Sequence, residues 1–452
     1  MSKHCLPIIV LLVSLVHTGS LHAQSNTPGA DTAIANLPAK WTLQDCLDYA
    51  LKNNITINTL RLSQRSAGQD LMLARAAVTP DLTGTANEAL TFQKRADGSG
   101  GYGSRRFVES GNYGVSSSVT IYQGGYLRNN IKEKQLLTSG ANLNILQEEN
   151  DITLNVTQAF LNILLAKENI IYLQDLVATS QAQVEQAKQK YDIGSIALKD
   201  LAQLQAQNAN DKYSLVTAQN THRQNIITLK LLLQLPSSVQ FVVREPDTLV
   251  SKSLIADLGE TQEAALAMRP EVKIAENNLE VARVDLQLAR SGFMPVITGS
   301  GAIGASHSGG NPGILQQLDN GFYQQIGLGL SIPIFNRRVT RTNVEKAKIG
   351  IEQAQLDQKN TRNNLALTVE QAYTNVVNAQ GQYDAAVEQL QYTKETYRIA
   401  SEQLKIGAVS TVDFLIQKNL YTQAYQEYVQ AKYNAALNIR IYDFYRGVPI
   451  KL

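Results

Sequence analysis

Gln325-Ile326-Gly327-Leu328-Gly329-Leu330-Ser331-Ile332-Pro333-Ile334 alternates small or polar residues with branched apolar ones. A period of two puts Ile326, Leu328, Leu330, Ile332 and Ile334 on one side of an extended strand and leaves the other side small and polar. Upstream, Ile297, Gly299, Gly301 and Ile303 alternate with Thr298, Ser300, Ala302 and Gly304. Weaker counterparts lie at 81–92 and 113–122, the latter with Val115, Val119 and Ile121 against Ser116, Ser118 and Thr120. The four predicted strands, 81–92, 113–122, 295–306 and 322–334, approach the length of about 9 to 11 residues that crosses a bilayer as a tilted strand. Four strands cannot close on themselves, and an open edge in hydrocarbon leaves costly unpaired backbone groups. Strands that cross a membrane here must therefore share a barrel with other chains, and three chains of four strands give twelve, an even number. The competing reading is two hairpins of a soluble sheet. The joining segments, 93–112 and 307–321, are rich in Gly, Ser and Asn and fit exposed loops.

Working outward from these strands, proline spacing sets the next elements. The 11 prolines leave two long proline-free intervals, Asp81 to Leu235 and Ile334 to Val448. Proline inside a helix costs on the order of 3 kcal/mol, so both intervals permit long helices. Residues 125–191 and 337–404 are rich in Ala, Gln, Leu, Lys and Glu with apolar positions every three or four residues. Val156, Phe160, Ile163, Leu164, Ile170, Ile171 and Val177 mark the first stripe; Leu365, Val369, Tyr373, Val376, Val387 and Leu390 mark the second. Each run ends in a glycine break, Ile193-Gly194-Ser195 and Ile406-Gly407-Ala408, before second helices at 199–234 and 411–446. Glycine past the last periodic residue suits a left-handed helix end, so each pair is predicted to fold as a hairpin with tip turns at 191–198 and 404–411. The apolar faces are too broad for a two-position coiled-coil seam and suit helices with neighbours on both sides, as in the wall of a tube.

The same order of signals occurs twice at an offset of about 213 to 219 residues. Thr42 to Leu51 answers to Thr261 to Ala267, Leu73-Ala74-Arg75 before Pro80 answers to Leu288-Ala289-Arg290 before Pro295, and Ile193-Gly194 with Asp200 answers to Ile406-Gly407 with Asp413. Residues 24–235 and 261–446 are read as two structural repeats, with a linker at 236–260 and a tail at 447–452.

Residues 1–23 read as a secretory signal: Lys3 and His4, an apolar run from Leu6 to Val16, then small residues up to Ala23. Past it, Cys46 stands alone, so no intramolecular disulfide is expected. The balance of 41 Lys and Arg against 39 Asp and Glu argues against nucleic acid as a partner. Past the signal, no apolar run reaches the length of a transmembrane helix, because even Leu229 to Leu235 is interrupted by Lys230 and Gln234. Gly299, Gly301 and Gly304 match a dinucleotide-loop spacing but sit inside an alternating strand with no helix behind them. His222 and His307 are far apart without partners at metal-ligand spacing, and no nucleophile stands beside a base, so neither a cofactor, a metal nor an enzyme activity is expected. Tyr421, Tyr425, Tyr428, Tyr433, Tyr442 and Tyr445 on the last helix are read as interhelical packing.

With this order of elements, the sequence resembles the TolC-like outer membrane efflux protein family. The resemblance rests on Trp41 to Leu47 with Ala50-Leu51, the junctions at Pro80 and Pro295, Leu330-Ser331-Ile332-Pro333-Ile334-Phe335-Asn336, and both Ile-Gly turns. Val119 to Gly125 departs from the pattern by lacking a counterpart of Pro333. The resemblance implies a mainly α fold with a membrane β-barrel portion: a homotrimer whose four strands per chain make a twelve-stranded barrel continuous with a periplasmic α-barrel. It implies an outer-membrane exit duct of a Gram-negative bacterium, served by a periplasmic adaptor (membrane fusion) protein and an inner-membrane pump of resistance-nodulation-division or ABC type. By the same resemblance Gly194, Ser195, Gly407 and Ala408 would make the tip turns and adaptor contact, and Asp200 and Asp413 would line the gate. A carboxylate at a helix start is also what the helix dipole favours, without any pore. Where some family members carry an arginine and a second aspartate, this chain has Val409 and Ile416, so closure is expected to rest on their packing. Two other functions stay open at this point: an outlet for type I protein secretion, and a soluble periplasmic coiled-coil adaptor or scaffold.

Overall fold

The computed structural model describes residues 37–94, 105–246, 249–308 and 314–450; the expected signal at 1–23 lies outside them. Helix α1 (Leu43–Asn53) starts at a capping box in which the Thr42 hydroxyl accepts from Asp45 N and the Asp45 carboxylate accepts from Thr42 N. Asn54 then caps α2 (Ile55–Ala76) by accepting from Thr56 N and Ile57 N. Trp41, just before α1, is buried against Tyr49 and Phe241 and pairs in parallel with Val243. The segment expected as a linker is thereby tied to the start of the chain.

Strands β1 (Thr83–Lys94) and β2 (Arg105–Gln123) follow, then the long helix α3 (Tyr126–Asp192, 67 residues) and α4 (Leu198–Leu233, 36 residues). The second half repeats this order with α5 (Leu258–Met268), α6 (Pro270–Ser291), β3 (Val296–Ser308), the short α7 (Ile314–Asn320), β4 (Tyr323–Ser331), α8 (Val339–Lys405, 67 residues) and α9 (Thr411–Tyr445). At 1.5 Å per residue each 67-residue helix is about 100 Å long. α3 packs against α4 on one side and, along its other faces, against α2, α6 and α9; α8 packs against α6 and α9. No described helix is long and apolar enough to cross a membrane.

Three limits differ from the sequence expectation. β2 begins at Arg105 rather than 113, because Ser110, Gly111 and Asn112 interrupt the apolar alternation without interrupting the ladder to β1, which runs to Lys94↔Arg105. β4 ends at Ser331 rather than 334: its partner strand β3 begins at Val296, opposite Ser331, and Pro333 has no N–H to offer. The segment expected as a loop at 307–321 contains α7.

The sheet order is β1-β2-β3-β4, all antiparallel, so β1 and β4 are its edges. Directly paired residues share a face. Leu328↔Gly299↔Val119 and Ile326↔Gly301↔Ser117 place Ile326 and Leu328 with Val119 on one side. Leu330, Ile297, Ile303 and Val115 join them there, and Phe92 and Phe107 pack ring to ring at 4.9 Å. Ser300, Ser118, Thr298 and Thr120 lie on the opposite side. Gly304 lets the Tyr323 ring cross the sheet on that polar side, where a Cβ would stand 2.7 Å from the ring. These glycines serve strand packing.

Candidate functional site: the hairpin tips and the sheet

The two tip turns are built alike. Ser195 N donates to Lys190 O and Ala408 N donates to Gln403 O, both at 2.8 Å, while Gly194 and Gly407 both adopt a φ of +74°. This is a left-handed helix end, at which any side chain is strained. The turns sit side by side: Lys190 Nζ donates to Lys405 O at 3.0 Å, and Ser195, Asp200, Gly407 and Val409 border one hollow of about 560 Å³. Among the described residues, Asp200, Gly194, Ser195, Gly407, Ala408 and Asp413 therefore stand together at one end of the molecule.

The two aspartates differ in their surroundings. Asp413 is exposed and engaged by Ser410, whose Oγ lies 2.7 Å from its carboxylate and accepts from Asp413 N. Asp200 is half-buried, and no side chain caps the start of its helix. Val409 packs against the tip core of Ala187, Leu201, Leu204, Ala400 and Phe414. Ile416 does not join it: at 100° per residue it points about 200° away from fully buried Phe414, and it is half exposed. Within one chain, Val409 joins the tip core and Ile416 faces away from it.

Above the tip, a buried ion pair that sequence reasoning missed links the two hairpins. Lys418 of α9 donates to Asp211 of α4 at 2.6 Å, with side-chain exposures of 0% and 4%. Gln207 donates to the other Asp211 oxygen at 2.8 Å. Burial pushes the Lys418 ammonium below the ordinary lysine value, and Asp211 opposes that shift. A lone Lys and a lone Asp far apart in sequence carry no signal of such a pair.

The tyrosines of α9 are interhelical packing, as expected. Tyr425 stacks on Tyr172 of α3 at 3.8 Å, and Tyr421 stacks on Tyr397 of α8 at 5.2 Å. Burial raises the Tyr172 and Tyr397 hydroxyls above the ordinary tyrosine value. Cys46 is fully buried and its thiol is pushed up to about 12 by burial, which leaves it unreactive at neutral pH. Among the described residues no group of three metal-ligating side chains converges.

Two long hairpins ending in paired turns, joined at the other end to an amphipathic four-stranded sheet, define the class of outer-membrane channels with a helical extension. The sequence model described as "Outer membrane efflux protein" matches residues 46–233 and 262–439, and the chain belongs to that family. It is 20% identical to the outer membrane efflux protein BepC of Brucella suis over 88% of this chain and 83% of that one. It is 22% identical to the outer membrane protein TolC of Escherichia coli, over 64% of this chain and 60% of that one. Among solved structures, CusC superposes with a TM-score of 0.79 at 19% identity, covering 91% of this chain and 95% of that one. The outer membrane channel CmeC of Campylobacter jejuni gives 0.75 at 20% identity over 88% and 84%. The protein is an outer-membrane efflux channel of the Gram-negative type, from a family that works in tripartite systems. The soluble scaffold reading falls with this result.

Proposed function

We propose that the chain is one third of a trimeric exit duct. The observation that carries this reading is the open sheet: β1 and β4 are unpaired edges of a sheet whose Ile326, Leu328 and Leu330 face is exposed, Ile326 at 96%. In hydrocarbon an unpaired edge is untenable, and β1 of one copy paired with β4 of the next closes three sheets of four into one twelve-stranded barrel. The helices continue this wall, because α8 leaves Ile349, Leu356 and Leu367 exposed while α2 leaves Leu62 and Met72 exposed. The two halves, repeating one element order, are read as an internal duplication, and export is directed by residues 1–23.

In this reading the duct is passive and catalyses nothing. Substrate arrives from an inner-membrane pump of resistance-nodulation-division or ABC type through a periplasmic adaptor docked on Gly194, Ser195, Gly407 and Ala408. Asp200 and Asp413 of three chains ring the entrance and favour cations. Their removal tests the gate: in planar bilayers the Asp200→Asn/Asp413→Asn double variant is expected to lose most of the cation preference of the parent channel. An unchanged reversal potential in a salt gradient would remove both residues from the pore.

A further inference from the structure

The two halves solve the same strand-to-helix turn with different residues. β2 passes into α3 through Gly124 and Gly125 at φ +59° and +80°; β4 passes into α8 through Arg337 and Arg338 at φ +52° and +68°. Glycine takes this conformation freely, whereas an arginine takes it only under strain. At Gly124 glycine is also sterically required, since a Cβ would stand 2.4 Å from the Met294 side chain. The second turn thus keeps two exposed arginines where glycines would fold more easily.

These arginines belong to a wider pattern. The four junctions between sheet and helices, 73–82, 120–130, 288–296 and 331–341, hold six arginines, Arg75, Arg128, Arg290, Arg337, Arg338 and Arg341, and one acidic residue, Asp81. Asp81 is taken up by Ser118, whose N and Oγ donate to it. Among the described residues, the guanidiniums of Arg75, Arg128, Arg290, Arg337 and Arg338 have no ion-pair or hydrogen-bond partner. At the same level Tyr122, Tyr126, Phe293 and Phe335 are exposed, as aromatic residues are at a membrane boundary. A hollow of about 820 Å³ opens there between Val78, Ile121, Leu127 and Ile131, with Arg128 and Lys132 on its rim.

We propose that this collar binds phospholipid of the membrane's periplasmic leaflet, headgroup phosphates on the arginines and an acyl chain in the hollow. The proposal rests on the reading that the sheet crosses the membrane. Charge complementarity argues for it: unpartnered guanidiniums directly below an apolar band meet the phosphate layer, and guanidinium matches phosphate in fork geometry. Continuity argues for it too, because exposed Ile334 and Phe335 extend the apolar face of β4 to the residue before Asn336 and the arginine pair.

The test is native mass spectrometry of the full-length, detergent-extracted protein titrated with phosphatidylglycerol, with phosphatidylcholine and inorganic phosphate as separate probes. The parent is expected to bind phosphatidylglycerol preferentially. Arg337→Gly/Arg338→Gly, which copies the relaxed turn of the first half, is expected to assemble normally and to bind it roughly 30-fold more weakly per chain. Arg337→Lys/Arg338→Lys keeps most of the binding. Equal binding by parent and glycine variant overturns the proposal, and so does saturation by inorganic phosphate alone. Should the glycine variant not assemble, the parent decides: no preference for phosphatidylglycerol over phosphatidylcholine overturns it. A protein that appears only as a soluble monomer instead defeats the membrane reading beneath it, and the two failures are thereby told apart.

Discussion

The hairpins α3/α4 and α8/α9 have the same length of long helix, 67 residues, and the same tip turn, yet they occupy different places in the chain. α3 runs through the middle of the wall: Val156, Phe160, Leu161, Ile163 and Leu164 are all nearly inaccessible. α8 lies at one margin: its Val369 and Val376 are buried, but Ile349, Leu356, Leu367 and Tyr392 face outward. Equal sequence length therefore does not mean an equally finished element. The middle of α3 is covered within the chain, although Leu137, Leu146 and Ile171 nearer its ends stay exposed, whereas α8 is covered on one side and in the proposed trimer would meet a second copy on the other.

The largest differences are expected between a buried position of α3 and an exposed one of α8. Phe160→Ala empties a site in α3 that is 1% exposed and is expected to cost about 3–5 kcal/mol in chemical unfolding. Leu356→Ala on α8 should cost the isolated chain less than about 0.5 kcal/mol, while weakening assembly measurably by sedimentation. Equal penalties at the two positions would erase the distinction between the hairpins.

Of similar size is the effect at the link between them. Lys418→Ala leaves Asp211 buried and unpaired, and about 3–5 kcal/mol of stability should be lost. Lys418→Leu/Asp211→Leu removes both charges and should recover most of it. A double variant as damaged as the single one would show that the polar surroundings, Gln207 included, matter more than the charge.

Gly194→Ala and Gly407→Ala probe what the hairpins share. Each puts a Cβ at φ +74° with no neighbour within 4 Å, so the penalty is conformational alone, about 1–2 kcal/mol, and equal at the two turns. Unequal losses would reveal an additional constraint on one turn.

The smallest effect concerns His222 on α4, whose imidazole is held below the ordinary histidine value by burial and by Lys167. The unfolded chain takes up the proton first as pH falls, so the stabilisation present above about pH 6.5 is lost on acidification through the folded value. His222→Gln should flatten the fall in melting temperature between about pH 7 and 5 relative to the parent. An unaltered slope would assign that dependence to other groups.

How much of this was legible in the sequence follows from range. Period and proline spacing are local, so the paired long helices and the four strands could be read directly. The start of β2 was missed because Ser110, Gly111 and Asn112 remove the apolar alternation by which a strand is recognised, while the backbone ladder to β1 continues regardless. β4 was overextended because Ile332 and Ile334 keep the period past the point where Pro333 ends pairing. At the tip, Asp200 and Asp413 were located by the repeat, whereas the outward turn of Ile416 follows from which face Phe414 buries, which only packing decides. The Lys418–Asp211 pair joins different helices of different halves and leaves no local trace.

Whether the sheet is a third of a barrel is decided by the mass of the particle extracted from outer membranes in mild detergent and kept unheated. Three chains per particle are expected, collapsing to one on heating. A single chain in the unheated particle would contradict the shared barrel, because β1 and β4 would then remain open edges in the bilayer.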